Sequence, residues 1–353
     1  MLTQISYTTV MQFKTNVSLQ NYSTMRLGGS AAYLTEVSSR SELTDALRWA
    51  VSKQLPVIMI GSGSNIIWKD EGYPGLVIIN KILRYEVFNE DTTNYYVTIG
   101  AGENWDSAVE RMVDAGLSGT EALSLIPGTA GATPIQNVGA YGQEIADTLV
   151  TVEVYDSQNN SFINIRSTDC NFGYRTSRFK TTDKGRFFIT AVTLHLVHDS
   201  PQPPFYAGLE KYLSEHQITE FTPRIIRQAV IDIRMHKLPD PNQVANTGSF
   251  FENPIVDDGQ FTQLLSTYSD LPHWPTDDDR RVKLSAAWLI EQSGFKNIHD
   301  SETGMATWPA SPLIFINEHA KSTADLLKFK QKVTAAVKAK FSIDLEQEPE
   351  ILP

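Results

Sequence analysis

The sequence is poor in cysteine, in positive charge and in long apolar runs. A single cysteine, Cys170, excludes an internal disulfide and fits a reducing compartment. Lysine and arginine number 30 against 41 acidic residues, and the net charge of −11 argues against a nucleic-acid or anionic-membrane surface. We find no signal-peptide pattern and no apolar run that could span a bilayer, and therefore expect a cytoplasmic protein. An anionic ligand would need a local cluster of Lys and Arg.

The composition that remains is that of a globular protein with two or three domains. Apolar residues make up 41% and charged residues 20% of the 353 positions, which is ordinary for such proteins. A strand over 31–37, a helix that begins after Ser39 and a buried strand over 56–60 predict a β-α-β unit. Further on, alternation over 150–165 predicts a hairpin, and Pro239-Asp240-Pro241 is the best candidate for a domain boundary.

The β-α-β unit runs into a first small-residue loop, Gly61-Ser62-Gly63-Ser64-Asn65. A dinucleotide fingerprint would require a third glycine and an immediate helix, whereas Ile66-Ile67-Trp68 continues as a strand, so we reject a Rossmann site. The remaining functional interpretation is a turn whose backbone N–H groups and serine hydroxyls face a pyrophosphate.

A second loop of the same kind spans 123–142 and is rich in glycine, alanine, proline and threonine. Its backbone could lie close against a large flat ligand, although composition alone leaves a plain irregular connection about equally plausible. The presence of two such loops favours a cofactor cradle.

Four further stretches combine polar and aromatic residues in ways that could serve chemistry. They are Phe172-Gly173-Tyr174-Arg175, where an arginine could meet a planar carboxylate; the segment 246–254, where Ser249 precedes paired phenylalanines; Gly294-Phe295-Lys296; and the acidic stretch 345–350. Each also has a structural explanation: a surface arginine, a serine at the start of a strand, a helix-end cation and a frayed terminus. The acidic run 277–279 has no His or Cys beside it, so we expect a solvated loop and no metal site.

The order of these motifs resembles a known enzyme family. GSGSN, IPGTAGATPIQNVGAYG, FGYR, KLPDP, NTGSFFENP, AAWLIEQSGFK and LEQE, from about Thr24 to Glu348, look like UDP-N-acetylenolpyruvoylglucosamine reductase. The segment around Tyr206 resembles the extra loop, carrying a tyrosine, that is found in one branch of that family. The resemblance implies FAD as cofactor, NADPH as hydride donor and reduction of the enolpyruvyl group of UDP-N-acetylglucosamine enolpyruvate to UDP-N-acetylmuramate for peptidoglycan synthesis.

The resemblance also implies an α+β architecture of the vanillyl-alcohol-oxidase/PCMH type. Two domains, 1–83 and 84–235, would bind FAD between them, and a third, 236–343, would bind the substrate, while 344–353 would pack on the first domain. We expect a monomer with small-molecule partners alone, without nucleic acid or membrane.

Residue roles follow from the same resemblance. Ser249 matches the proton donor, Arg175 the residue on the substrate carboxylate, and Glu348 the acid that stabilises the intermediate, with Glu350 as the alternative acid. Tyr141, Tyr174, Tyr206, Lys237, Asn253 and Lys296 match substrate-binding positions. The cofactor-binding positions are Gly61, Ser62, Gly63, Ser64, Asn65, Pro127, Gly128, Thr129, Ala130, Gly131, Gln136, Asn137, Gly139 and Arg234.

Two other functions stay open from the sequence. One is a flavoprotein oxidoreductase of the same architecture with another substrate, against which the set Arg175, Ser249 and Lys237 argues. The other is a non-catalytic sugar-nucleotide-binding protein, which would be colourless when purified.

Overall fold

A computed structural model describes residues 11–276 and 278–353 of the chain. The first ten residues of the predicted first domain, and Asp277 of the acidic run, lie outside this range. In the described part, every helix is too short or too polar to cross a membrane.

The first unit is a small mixed sheet with one helix on it. Its strand order is β1-β2-β5-β3, with β1 antiparallel to β2 and the other pairs parallel. The predicted β-α-β unit is present, but a strand that the sequence analysis did not predict, β5, lies between β2 and β3. As predicted, Ser39 caps the helix, where its side chain accepts from Glu42 N. The elements are β1 Lys14–Ser18, β2 Ser30–Val37, α1 Arg40–Ser52, β3 Val57–Ile60, β4 Ile66–Trp68 and β5 Tyr73–Asn80.

The second unit is built on an antiparallel sheet of order β11-β10-β12-β7-β6. The predicted hairpin is present, closed where Asp156 pairs with Ser161. The long strand β12 pairs with β10 on one side and with β7 on the other. The elements are β6 Tyr85–Asn89, β7 Asn94–Gly100, α2 Trp105–Asp114, β8 Gly139–Ala140, β9 Gln143–Glu144, α3 Ile145–Thr148, β10 Leu149–Asp156, β11 Ser161–Arg166, β12 Phe187–Val197, α4 Ala207–Glu215 and α5 Pro223–Lys237.

The third unit packs helices against two small antiparallel sheets, of orders β13-β19-β18-β17 and β14-β16-β15. One helix of this unit begins at Ala286, because the Ser285 side chain accepts from Trp288 N and caps it. The elements are β13 Ala245–Ser249, β14 Ile255–Asp257, α6 Asp258–Thr267, β15 His273–Pro275, β16 Arg281–Leu284, α7 Ala286–Gln292, β17 His299–Asp300, β18 Met305–Trp308, β19 Ser311–Asn317, α8 Thr323–Phe341 and β20 Glu350–Leu352.

The first and third units share a hydrophobic core, whereas the second meets the third through polar groups. Met25, Leu27 and Ile67 of the first unit belong to the same buried cluster as Phe250 and Phe251 of the third. The last strand returns to the first unit, where β20 pairs parallel with β4. The contacts between the second and third units form the candidate site.

Candidate active site

The two small-residue loops face each other directly across the seam between the first and second units. The Ser64 hydroxyl donates to the Pro127 carbonyl at 2.9 Å. A Cβ at Gly61 would lie 2.2 Å from Thr129 Oγ1, and one at Gly63, whose φ is +74°, would lie 2.1 Å from the Tyr22 carbonyl oxygen. Glycine at 61 therefore lets the two loops approach each other, and glycine at 63 lets the first loop pack against Tyr22 of its own unit with a positive φ.

These loops leave backbone donors available for an anion. In the described residues, the N–H groups of Ser62, Gly63 and Ser64 meet no acceptor, and the Ser62 side chain is exposed. On the other side, Ala130 N donates to the Glu103 carbonyl at 2.9 Å and Gly131 N donates to the Ala101 carbonyl at 3.0 Å, which fixes the second loop on its own unit. A cradle of small residues beside unpaired N–H groups fits the diphosphate of FAD.

A chain of amide hydrogen bonds leads from this cradle to Glu348. The Asn65 amide donates to Gln136 Oε1 at 2.6 Å, and the Gln136 amide donates to Glu348 Oε1 at 3.1 Å. All three units therefore meet in one polar network.

Asn137 and Gly139 hold the loop that carries Arg175. The fully buried Asn137 side chain donates to the Gly173 carbonyl at 3.2 Å and accepts from Ala146 N at 3.1 Å, so its polar atoms already have protein partners. The Gly139 carbonyl accepts from Arg175 Nη2 at 2.8 Å. The side chain of Asn137 therefore positions the loop, and only its backbone remains for a cofactor.

Arg175 of the second unit lies beside Glu348, which comes just before β20. Arg175 Nε lies 3.5 Å from Glu348 Oε1, and this nitrogen is buried without a hydrogen bond. Arg175 has a φ of +53°, in the left-handed region. Burial raises the pKa of Glu348; Arg175 opposes this rise and the nearby Glu252 adds to it. The site therefore combines a guanidinium with free hydrogen-bonding capacity and a carboxyl biased toward its protonated form.

Ser249 lies at the end of β13, not at the start of a strand. The ladder between β13 and β19 shifts register between Asn246 and Ser249, and Gly248 has a φ of +73°. The half-buried Ser249 hydroxyl makes no hydrogen bond to any other described residue. Phe250, which follows, is fully buried, and its carbonyl accepts from Glu348 N at 3.0 Å. This bond brings the Ser249 segment beside Glu348.

Tyr174 and Asn253 also contact each other across the second and third units. Asn253 N donates to the Tyr174 hydroxyl at 3.3 Å, and the Asn253 side-chain oxygen accepts from Ala286 N at 3.0 Å, at the start of α7. Lys283 Nζ lies 4.9 Å from the centre of the Tyr174 ring. Burial raises the pKa of Tyr174, which keeps the phenol protonated.

A second aromatic group lies beside a partly buried arginine. The rings of Tyr141 and Tyr206 meet edge to face at 5.9 Å. Arg234 contacts Tyr141, and its Nε is buried without a hydrogen bond. Burial lowers the pKa of Arg234 and raises that of Tyr141. This desolvated guanidinium is able to accept an anionic partner.

The two predicted lysines stand apart from these groups. Lys296 is exposed and pairs with Glu291 at 2.7 Å, and Lys237 is exposed at the end of α5. Glu350, the alternative acid, pairs with Lys184 at 2.6 Å and has no contact with Arg175. The substrate roles of Lys237 and Lys296 stay predictions.

Sequence reasoning missed two charged residues of the site, Lys180 and Glu252. Both lie within or just after motifs that we noted, but neither motif by itself indicates a charged partner. Their proximity to Arg175 and Glu348 depends on long-range packing between units. In the described residues, His, Cys, Asp and Glu form no group of three or more that could hold a metal ion.

Comparison with known proteins locates two family regions in the chain. A model described as an FAD binding domain matches residues 31–164. A model described as UDP-N-acetylenolpyruvoylglucosamine reductase, C-terminal domain, matches residues 240–352. These matches confirm the predicted α+β architecture, an FAD-binding region followed by a C-terminal domain.

Full-length relatives show the same pattern. The chain is 37% identical over 344 residues to UDP-N-acetylenolpyruvoylglucosamine reductase of Chromobacterium violaceum, an alignment that covers 97% of this chain and 99% of that protein. The protein of the same name from Xanthomonas euvesicatoria pv. vesicatoria is 35% identical over 343 residues, covering 97% and 96%. The crystal structure of UDP-N-acetylenolpyruvylglucosamine reductase from Thermus caldophilus has the same fold, with a TM-score of 0.67 at 24% identity over 97% of this chain and 100% of that one.

Proposed function

The chain belongs to the UDP-N-acetylenolpyruvoylglucosamine reductase family, and from this premise we propose how its own residues carry out the reaction. The protein is an FAD-dependent oxidoreductase of peptidoglycan precursor synthesis that uses NADPH to reduce the enolpyruvyl group of its UDP-sugar substrate. FAD held by the two small-residue loops would supply the redox chemistry that carries hydride from NADPH to the terminal carbon of the enolpyruvyl group, giving UDP-N-acetylmuramate. All residue roles below belong to the proposal.

The two small-residue loops hold the cofactor. Unpaired N–H groups at 62–64 face its diphosphate, and Arg234 supplies a positive charge against the acidic field of the whole chain. Residues Gly61, Asn65, Pro127, Gly128, Thr129, Ala130, Gly131, Gln136, Asn137 and Gly139 complete the cradle.

Arg175 binds the carboxylate of the enolpyruvyl group. One edge of its guanidinium is already fixed by the Gly139 carbonyl, while the buried Nε has no hydrogen bond and remains available. Because the bond to Gly139 already fixes the guanidinium, Arg175 can bind a carboxylate with little further loss of side-chain entropy.

Ser249 delivers the proton that completes the reduction. Hydride addition to the terminal carbon leaves negative charge on the adjacent carbon and the carboxylate, as an enolate. The half-buried Ser249 hydroxyl has no hydrogen-bond partner among the described residues, so it can donate to that adjacent carbon without first breaking a hydrogen bond to them.

Glu348 stabilises the same developing charge. A carboxyl group can donate a hydrogen bond to an enolate only while it is protonated, and burial raises the pKa of Glu348 in that direction. The contact between Glu350 and Lys184 supports Glu348 rather than Glu350 in this role.

The remaining predicted positions bind the rest of the substrate. Tyr174 and Asn253 form one wall, and Tyr141 and Tyr206 another. Lys237 and Lys296 would also contact the substrate. We further propose that the protein acts in the cytoplasm as a monomer, without nucleic acid or membrane partners; light scattering during gel filtration tests the oligomeric state.

The observation that carries the proposal is the meeting of Arg175, Glu348 and the Ser249 segment beside the cofactor loops. An anaerobic experiment tests it: the visible spectrum of the purified protein is recorded, NADPH is added, and UDP-N-acetylglucosamine enolpyruvate follows. We expect bleaching of the oxidised flavin band and then its recovery. Bleaching without recovery would keep the flavoprotein but refute this substrate, and protein without a flavin band would refute the proposal.

A further inference from the structure

Lys180 links the loop that carries Arg175 to the segment that follows Ser249. Its ammonium donates to the Arg175 carbonyl at 2.9 Å and to Glu252 Oε1 at 3.2 Å. Gly173 and Thr176 pair across a tight turn, and Arg175 within it has a φ of +53°. The first bond of Lys180 is therefore made to the carbonyl of a residue whose left-handed backbone conformation is unfavourable for a non-glycine residue.

Glu252 and Glu348 project from two short paired segments. Phe251 and Gln347 form an antiparallel bridge, Glu348 N donates to the Phe250 carbonyl at 3.0 Å, and Glu252 N donates to the Glu346 carbonyl at 2.9 Å. Glu252 lies opposite Glu346, and Glu346 and Glu348 are two positions apart on one segment, so they point to the same face. The carboxyl groups of Glu252 and Glu348 therefore lie on one side of this ladder.

The two cations of the second unit face these two carboxyl groups. Arg175 Nε lies 3.5 Å from Glu348, and Lys180 Nζ lies 3.2 Å from Glu252. None of the four side chains is more than 25% exposed, so their charges are poorly screened and influence one another. Glu348, the acid proposed to stabilise the intermediate, therefore belongs to a cluster of four ionisable side chains.

We infer that Lys180 is a positioning residue for the second half-reaction, in which the reduced flavin reduces the enolpyruvyl substrate. By bridging the Arg175 carbonyl and Glu252, Lys180 fixes Arg175 against Glu348 and offsets the charge of Glu252. The inference rests on the proposed function of Glu348. Lys180 acts through its neighbours and need not touch the substrate.

The electrostatic part of this role has a definite sign. Burial raises the pKa of Glu348; Arg175 lowers it, Glu252 raises it, and Lys180 and the Gln136 amide lower it. Burial also raises the pKa of Glu252, which Lys180 opposes and Glu346 reinforces. The groups facing this acid are Arg175, Lys180, Glu252, Gln136 and Tyr174, whose own titration responds to Glu348.

Two substitutions that break the Lys180–Glu252 ion pair distinguish an electrostatic effect on Glu348 from a purely structural contact between the two segments. In Lys180→Met the pKa of Glu348 should rise, because an opposing cation is lost; in Glu252→Gln it should fall, because a like charge is lost. A purely structural role predicts that both variants change in the same direction. Carbon-13 NMR titration of glutamate-labelled holoenzyme measures the Glu348 carboxyl directly, with Glu348→Gln to assign its resonance.

Kinetics supply the second measurement. We expect Lys180→Met to slow recovery of the oxidised flavin band by roughly 10- to 100-fold, the range expected when a reacting group is displaced, while NADPH still bleaches the flavin at the normal rate. Lys180→Arg should restore most of that rate. The rate of flavin reoxidation by substrate should also be measured as a function of pH. The pH at which this rate changes should shift in one direction in Lys180→Met and in the opposite direction in Glu252→Gln.

The matched control is Lys184→Met, which removes another lysine–glutamate pair made by the loop before β12, in this case with Glu350 at the start of β20, without facing Glu348. It should leave both the titration and the rates unchanged. Three outcomes for the pKa of Glu348 would each overturn the inference: an equal shift in all variants, a shift of the same sign in Lys180→Met and Glu252→Gln, or no shift. Failure of the wild type to recover its flavin band would instead refute the proposed function, and the NMR titration would still decide the role of Lys180.

Discussion

At the scale of single residues, Ser249 is distinguished by the hydrogen bonds that it lacks. Its neighbours Gly248 and Phe250 fix the backbone around it, while its hydroxyl has no partner in the described chain. We expect Ser249→Ala to leave NADPH bleaching of the flavin intact and to slow flavin reoxidation by substrate roughly 100- to 10,000-fold, the usual contribution of a positioned proton donor. Stopped-flow spectroscopy measures both steps.

The control for that substitution is Ser266→Ala, on the exposed side of α6, which should change neither step. Equal slowing of the two steps in Ser249→Ala would show that Ser249 supports the cofactor site rather than the proton transfer.

Burial of Glu348, which we propose to be a catalytic acid, should reduce the stability of the folded state at neutral pH. Since its folded pKa is raised above the ordinary 4.5, the folded state binds a proton more tightly than the unfolded state does. Stability from this group is therefore present at low pH and is lost as the pH rises through the folded pKa. We expect Glu348→Gln, which mimics the neutral acid, to raise the melting temperature at pH 8 but not at pH 4, and to slow the second half-reaction roughly 100-fold or more.

Calorimetry across this pH range measures the first effect, and flavin reoxidation measures the second. Glu350→Gln is the comparison, because it disrupts only a partly exposed pair with Lys184, which should contribute at most about 1 kcal/mol. A lower melting temperature for Glu348→Gln at pH 8 would mean that the ionised carboxylate stabilises the site.

At the scale of elements, the hairpin of β10 and β11 depends on one buried carboxylate. Asp156 is fully buried and receives Arg186 Nη2 at 2.7 Å and Nε at 3.0 Å. Hydrogen bonds from Arg186 hold the pKa of Asp156 far below its ordinary 3.8, so its stabilisation is present above that value and is lost as the pH falls. We expect Asp156→Asn to cost roughly 2–4 kcal/mol at pH 7.

Urea unfolding at pH 7 and again below pH 3 tests this, because the difference between wild type and Asp156→Asn should shrink in acid. Asp45→Asn, in an exposed pair with Arg48 on α1, should change stability by less than about 1 kcal/mol. A constant difference at both pH values would refute the assignment to ionisation.

Local patterns allowed prediction of several elements and missed others for identifiable reasons. The cap at Ser39 and the hairpin were confirmed, because their hydrogen bonds are formed between near neighbours in sequence. Strand β5 was missed because Tyr73–Asn80 is buried nearly throughout and shows no alternation. Its pairing with β2 and β3 is set by tertiary packing.

The same distinction applies to the candidate site. Ordered motifs allowed Arg175, Ser249 and Glu348 to be named, and the structure places their segments together. Lys180 and Glu252 could not be predicted, because their pairing joins segments far apart in sequence, which no local spacing reveals. The domain boundaries at 83, 235 and 343 stay predictions.

At the scale of the whole molecule, the first and third units are packed together around one hydrophobic core. Besides the shared core, Asp70 of the first unit accepts from Thr323 N at 2.7 Å and Ala324 N at 2.9 Å, and so caps α8 of the third unit. The second unit is joined to the third largely through the polar site.

The final prediction tests this division. Leu27 is 1% exposed within the core common to the first and third units, so Leu27→Ala should cost about 2–5 kcal/mol. Hydrogen exchange should then show that amides of β4 and α8 lose protection by similar amounts, while those of the β10–β12 sheet lose less. Leu83→Ala, at a side chain that is 66% exposed, serves as control. Loss of protection confined to the first unit would mean that its core is energetically separate, and α8 would then owe its stability to the third unit alone.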